Sequence, residues 1–143
     1  MQVFIENSFD DDLTDFCDLL IKRIKVIVLS RINGQKLSVR DVVINNPAYK
    51  LIDFTRERRE IESISLYQQY LYNLRIRVKG NTYIIESDPN IKIFGSNTTV
   101  DSIIRAIEYG KLGLPAYPLI RTVYDEIAED IPTYYQEWLE GAV

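Results

Sequence analysis

The stretch LRIRVKGNTYIIES, residues 74 to 87, decides the fold class. Leu74, Ile76 and Val78 alternate with Arg75, Arg77 and Lys79, the period-two pattern of a strand with one buried and one wet face. Gly80-Asn81 follows as a two-residue hairpin signal. Folding the chain about it sets Val78 opposite Tyr83, Ile76 opposite Ile85 and Arg75 opposite Glu86. Apolar then meets apolar and a cation meets an anion, the pairing that stabilises an antiparallel ladder.

Downstream, Asp88-Pro89-Asn90 reads as the next turn and Ile91 to Phe94 as a third strand, which predicts a small antiparallel meander of three to four strands. Upstream, the β-rich region is expected to begin near Ile64. Tyr67, Tyr70 and Tyr72 then read as half-buried strand residues or, by their amphipathic rings, as an interface.

Helices are expected on both sides. At the N-terminus, Ser8 with Asp11 has the form of a capping box. Leu13, Phe16, Cys17, Leu20, Ile24, Ile27 and Val28 then recur at helical spacing, predicting one long helix over residues 9 to 29. Asp10, Asp11, Asp12 and Asp15 crowd its start and Lys22, Arg23, Lys25 and Arg31 its end, the order that complements a helix dipole. Asn33-Gly34 is the expected stop. Residues 35 to 60 are less legible: Leu37-Ser38 opens a short helix through Val43, Asn46-Pro47 punctuates, and TRERRE at 55 to 60 reads as a solvated face.

Toward the C-terminus, Thr98 with Asp101 repeats the capping pattern. Val100, Ile103, Ile104 and Ile107 form an apolar stripe, and Gly110 closes that helix. Pro118 is placed to open another helix, carrying Ile120, Val123, Tyr124, Ile127 and Ile131. Pro132 is placed to open a last short one with Tyr135, Trp138 and Leu139. From Val123 onward there are six acidic side chains and no basic one. The whole reads as a single α+β domain over residues 1 to 143, its C-terminal helices packed on the sheet.

Composition narrows function mainly by exclusion. With 46% hydrophobic and 27% charged residues the chain is expected to fold rather than stay disordered. A net charge of -4 argues against a general nucleic-acid binder. The absence of histidine removes the commonest general base and metal ligand, and every Ser-His or Cys-His arrangement. The single cysteine, Cys17, falls on the apolar helix face and reads as a buried small hydrophobe. No apolar run approaches the roughly 20 residues of a membrane span, and the first residues lack the pattern of a signal peptide. A cytosolic site of synthesis is the expectation. No catalytic, cofactor-binding or metal-binding residue is assigned.

The segment from Glu108 to Tyr124 carries the functional signal. Glu108-Tyr109-Gly110, a short gap, Pro115-Ala116, one residue, Pro118, two apolar residues, Arg121 and then Tyr124 form its pattern. This resembles the C-terminal signature of the tail-completion, or head–tail joining, proteins of tailed bacteriophages. There an aromatic-glycine pair after an acidic residue leads into Pro-Ala-x-Pro, two apolar residues and an arginine. The Thr-Gly-x-Leu element that the family commonly carries upstream is absent between Gly34 and Asn97.

The resemblance implies a structural virion protein rather than an enzyme, a ring of identical copies in the neck between the portal-side connector and the tail. Its partners would be copies of itself, the portal or adaptor-side connector and tail proteins. Its location would be the virion, and the host cytoplasm during assembly. DNA would pass through the ring without sequence-specific contact, and the acidic C-terminal region would dock a neighbour or line the lumen. Glu108, Tyr109, Gly110, Pro115, Ala116, Pro118, Arg121 and Tyr124 would form an interaction corner that aims the last helices. The alternative is a protein-binding adaptor or inhibitor outside virions. A carboxylate-only metal site at Asp10, Asp11, Asp12 and Asp15 and a nucleic-acid face at Arg75, Arg77 and Lys79 are weaker readings.

Overall fold

The hairpin forms in the predicted register. In a computed structural model that describes residues 1–7, 12–32, 63–93, 97–111 and 116–141, Val78 pairs with Tyr83, Ile76 with Ile85 and Arg75 with Glu86. Its strands are β2 (Leu74–Lys79) and β3 (Thr82–Ser87), joined at Gly80, whose φ of 61° is the left-handed value this turn requires. Glu86 accepts from Arg77 at 2.6 Å and lies 3.8 Å from Arg75, so the cross-strand charge pairing is present. The buried face of β2 fades toward the turn: Leu74 and Ile76 are half-buried, but Val78 is 57% exposed.

The third strand is not Ile91 to Phe94. It is β1 (Val3–Glu6), antiparallel to β3, which gives the sheet order β1-β3-β2 instead of a meander of consecutive strands. With β1 on one edge of β3 and β2 on the other, no edge of β3 is left for the next segment. Residues 91 to 93 bond locally instead, Ile93 N–H to Thr98 carbonyl and Val100 N–H to Ile91 carbonyl, each at 2.8 Å. Phe94 lies outside the described residues.

The expected N-terminal helix is therefore the second element, and it begins later than residue 9. Helix α1 runs Thr14–Ile32. Asp12 stands two residues before it, accepting from the Thr14 N–H at 3.0 Å and the Thr14 hydroxyl at 2.6 Å. The Ser8–Asp11 capping box, Asn33-Gly34, and everything read between residues 35 and 60 lie outside the described residues. Leu13, Phe16, Cys17, Leu20, Ile24 and Val28 are buried as expected, whereas Ile27 is half-buried at the edge of that face.

The tyrosine cluster is helical, not extended. Helix α2 (Ser63–Tyr72) buries Leu66, Tyr67, Tyr70 and Leu71 and exposes Gln68, Gln69 and Tyr72. Those spacings put four apolar side chains on one helical face. Strand alternation would have stacked Leu66, Gln68 and Tyr70 together.

Helix α3 (Val100–Tyr109) is capped by the Thr99 hydroxyl and ends at Gly110, which has φ 70°. Helix α4 (Leu119–Leu139) runs through Pro132 without the predicted break. Pro132 and Ala128 are both exposed, so the ring faces water and the Ala128 carbonyl that loses its donor can be solvated. Helix α4 lies against α1 and β1, and α2 lies against α3, around one continuous apolar core.

Candidate functional site

The corner between α3 and α4 is built around a buried acid. Val100, Ile104 and position 108 form one row on α3, and Val100 and Ile104 pack into the core. That row carries Glu108 inward until it is fully buried. A carboxylate placed there must find donors, and the start of α4 supplies them. Glu108 Oε1 accepts from the Ile120 N–H at 2.5 Å, and Oε2 accepts from the Arg121 N–H at 3.3 Å. These are the second and third N–H groups of α4, which an N-cap side chain ordinarily satisfies. Pro118 holds the N-cap position and has no side chain able to do so. Glu108 thus caps the next helix from across the corner, and its negative charge meets the positive end of the α4 dipole.

Arg121 closes the arrangement. Its Nη2 donates to the Glu108 carbonyl at 2.6 Å and its Nε lies 3.5 Å from Glu108 Oε2. The guanidinium carbon sits 3.9 Å from the centroid of the Tyr109 ring, and Lys111 approaches the same ring at 5.7 Å. Glu108 is buried and only Arg121 reaches solvent. Burial pushes the Glu108 carboxyl above its ordinary range, and the Ile120 and Arg121 donors hold part of that rise back.

Backbone bonds set the rest of the turn. Gly110 and Lys111 N–H both donate to the Ala106 carbonyl, Tyr117 N–H donates to Ile107, and the Thr122 hydroxyl donates to Pro118. Pro118 precedes the first helical residue by one position, and Ala116 and Pro118 are exposed. Pro115 lies outside the described residues. Tyr124 is buried below the corner, its hydroxyl 3.0 Å from that of Tyr70 on α2. Nearby, the Tyr67 hydroxyl is buried with no hydrogen-bond partner among the described residues.

Beside the corner is an open cleft of about 390 Å³. Its walls come from Tyr109, Arg121 and Asp125 on one side and from Met1, Gln2 and Phe4 on the other. The sequence reading missed the second wall because it missed β1. Val3, Phe4 and Ile5 offered only strand propensity as a signal; the alternation, with Val3 and Ile5 buried and Phe4 and Glu6 exposed, comes from the fold. Tyr70, the partner of Tyr124, was missed because its segment was read as a strand.

Of the four aspartates read near the start of α1, only Asp12 and Asp15 fall among the described residues. Asp12 accepts from Thr14, Asp10 and Asp11 are outside the described residues, and no cluster of three metal-ligating side chains occurs among the described residues. Among the same residues no helix is long and apolar enough to cross a membrane. No protein-family model, curated protein or solved structure matches the chain.

Proposed function

We propose that this chain is a structural component of a tailed-phage particle, a head–tail joining or tail-completion protein that acts as a ring of identical copies between the portal side and the tail. The observation that carries the reading is the Glu108–Tyr124 stretch, whose acid, glycine, second proline and arginine all stand at the described ends of α3 and α4 where the two helices meet. In this reading the residues of the motif have a mechanical purpose. Glu108 and Arg121 fix the direction in which α4 leaves the corner, and α4 presents Asp125, Glu129 and Asp130 to solvent. An element held at a fixed angle can repeat the same contact on every copy, as a closed ring requires. An acidic exposed helix face also suits a surface that DNA passes without adhering, because like charges repel.

The test is sedimentation velocity and negative-stain imaging of the chain, alone and with a candidate portal-side connector from the same genome. Closed particles with cyclic symmetry support the proposal. A monomer at every concentration, with and without that connector, overturns it.

A further inference from the structure

We infer that the outer edge of β2 takes up an extended acidic segment of a partner protein, which joins the sheet as a fourth strand. This goes beyond the ring reading and does not depend on it, because the edge is present whether or not copies associate. Backbone bonds define the edge, and side chains define the partner.

Two bonds fix which way each residue of the hairpin points. Asn7 N–H donates to the Asn81 carbonyl, and Asp88 N–H donates to the Asn73 carbonyl. In an antiparallel ladder this direction alternates from residue to residue. Thr82, Ile84 and Glu86 therefore face β2, where their partners Lys79, Arg77 and Arg75 return the bonds. The N–H and C=O groups of Ile76 and Val78 point the other way, and no hydrogen bond reaches them among the described residues. The opposite edge of the sheet, β1, packs against α4. An edge with unused donors and acceptors is a template for one more strand.

Side chains select what can pair there. Arg75, Arg77 and Lys79 form one exposed row on the wet face of β2. Glu86 and Asp88 meet the two arginines from the β3 side, while Lys79 has no ion pair among the described residues. A guanidinium engaged on one side keeps donors for a second carboxylate arriving from the other. On the opposite face Ile76 is half-buried and Val78 is 57% exposed, the surface that a neighbouring strand would cover. The matching segment alternates acidic with apolar residues, acids beside the cations and apolar side chains beside Ile76 and Val78. The same cations oppose pairing of β2 with the β2 of another copy, since that would set like charges face to face.

The test is NMR titration and hydrogen exchange with a capped peptide of alternating glutamate and valine, as long as β2, and with its lysine counterpart. The glutamate peptide should bind, and the Ile76 and Val78 amides, open in the free chain, should become protected. The lysine peptide should not bind. Val78→Pro removes an N–H that the ladder does not use, so the fold should persist while binding is lost. Lys79→Glu should weaken the glutamate peptide roughly fivefold. Unchanged melting curves would confirm that both variants fold, and the exchange pattern of the parent decides even where a variant melts early. A chain that binds neither peptide, or both alike, overturns the inference, as does protection that appears away from this edge. Ile76 and Val78 amides already protected without peptide, at every concentration or only as it rises, would assign the edge to the chain itself or to a second copy and overturn it too.

Discussion

Glu108 shows how one residue can tie two helices together. Its side chain replaces the cap that Pro118 cannot provide, and Arg121 limits the cost of burying the charge. Glu108→Ala would leave the Ile120 and Arg121 N–H groups without their acceptor, and urea unfolding should register a loss of about 2–4 kcal/mol. The pH dependence has a definite sign. Because burial raises the Glu108 carboxyl in the folded state, its contribution to stability is full below the ordinary value of 4.5 and is lost as pH rises through the folded value. Melting curves of the parent should therefore fall relative to Glu108→Gln as pH rises above about 4.5. A parent that gains on the variant over that window would show that the helix end and Arg121 outweigh burial. Cys17 is a simpler case: burial, with the Asp18 and Asp12 carboxylates, pushes its thiol up to about 12. It should stay silent to a thiol reagent at pH 8 and react in full only when the protein is unfolded.

At the scale of the element, α1 supplies the clearest test of the core. Ile24 is fully buried one turn beyond Leu20, on the face that packs against the rest of the fold. Ile24→Asp places an unpaired charge there, a change that exceeds about 4 kcal/mol and is comparable to the whole stability of a domain this size. The variant should lack a cooperative melting transition in circular dichroism. A normal transition would mean that the buried face has been misassigned. The corner stands on a different footing, because Gly110 contributes its backbone conformation. Its φ of 70° is disfavoured for any residue bearing a Cβ.

The whole molecule is joined along the α1–α4 seam. Phe16 is fully buried there, with the Tyr135 and Trp138 ring centroids at 5.4 Å and 5.6 Å. Trp138 is the only tryptophan in the chain, so its fluorescence reports on this docking alone. If the last turns of α4 belong to the same cooperative unit as the sheet, the fluorescence and far-ultraviolet transitions in urea should coincide. Separate transitions would place the end of α4 outside that unit. Trp138→Ala should cost about 2–3 kcal/mol, since the residue is half-buried and leaves part of Phe16 uncovered.

What the sequence determined by itself was local. The β2–β3 register follows from alternation and a two-residue turn, the end of α3 from Gly110, and the buried face of α1 from its spacing, because each depends on neighbours a few residues apart. The burial of Glu108 was also legible in principle, as the continuation of the Val100–Ile104 row. The rest was decided by contacts distant in sequence. Whether VFIE becomes a strand depends on the free edge of β3, some 80 residues later. Once β1 takes that edge, Ile91 to Ile93 cannot pair with β3, and they bond to Thr98 and Val100 instead. SISLYQQYLY holds aromatic residues suited to either structure, and the helix prevails because Leu66, Tyr67, Tyr70 and Leu71 then share one buried face. Pro132 remains inside α4 because its side of the helix faces water, a fact that only the packing of α4 against α1 and β1 decides. The cleft arises the same way, from N-terminal residues brought beside a corner more than 100 positions away. Periodicity records which side of an element is apolar; which surface covers that side is set by the tertiary fold.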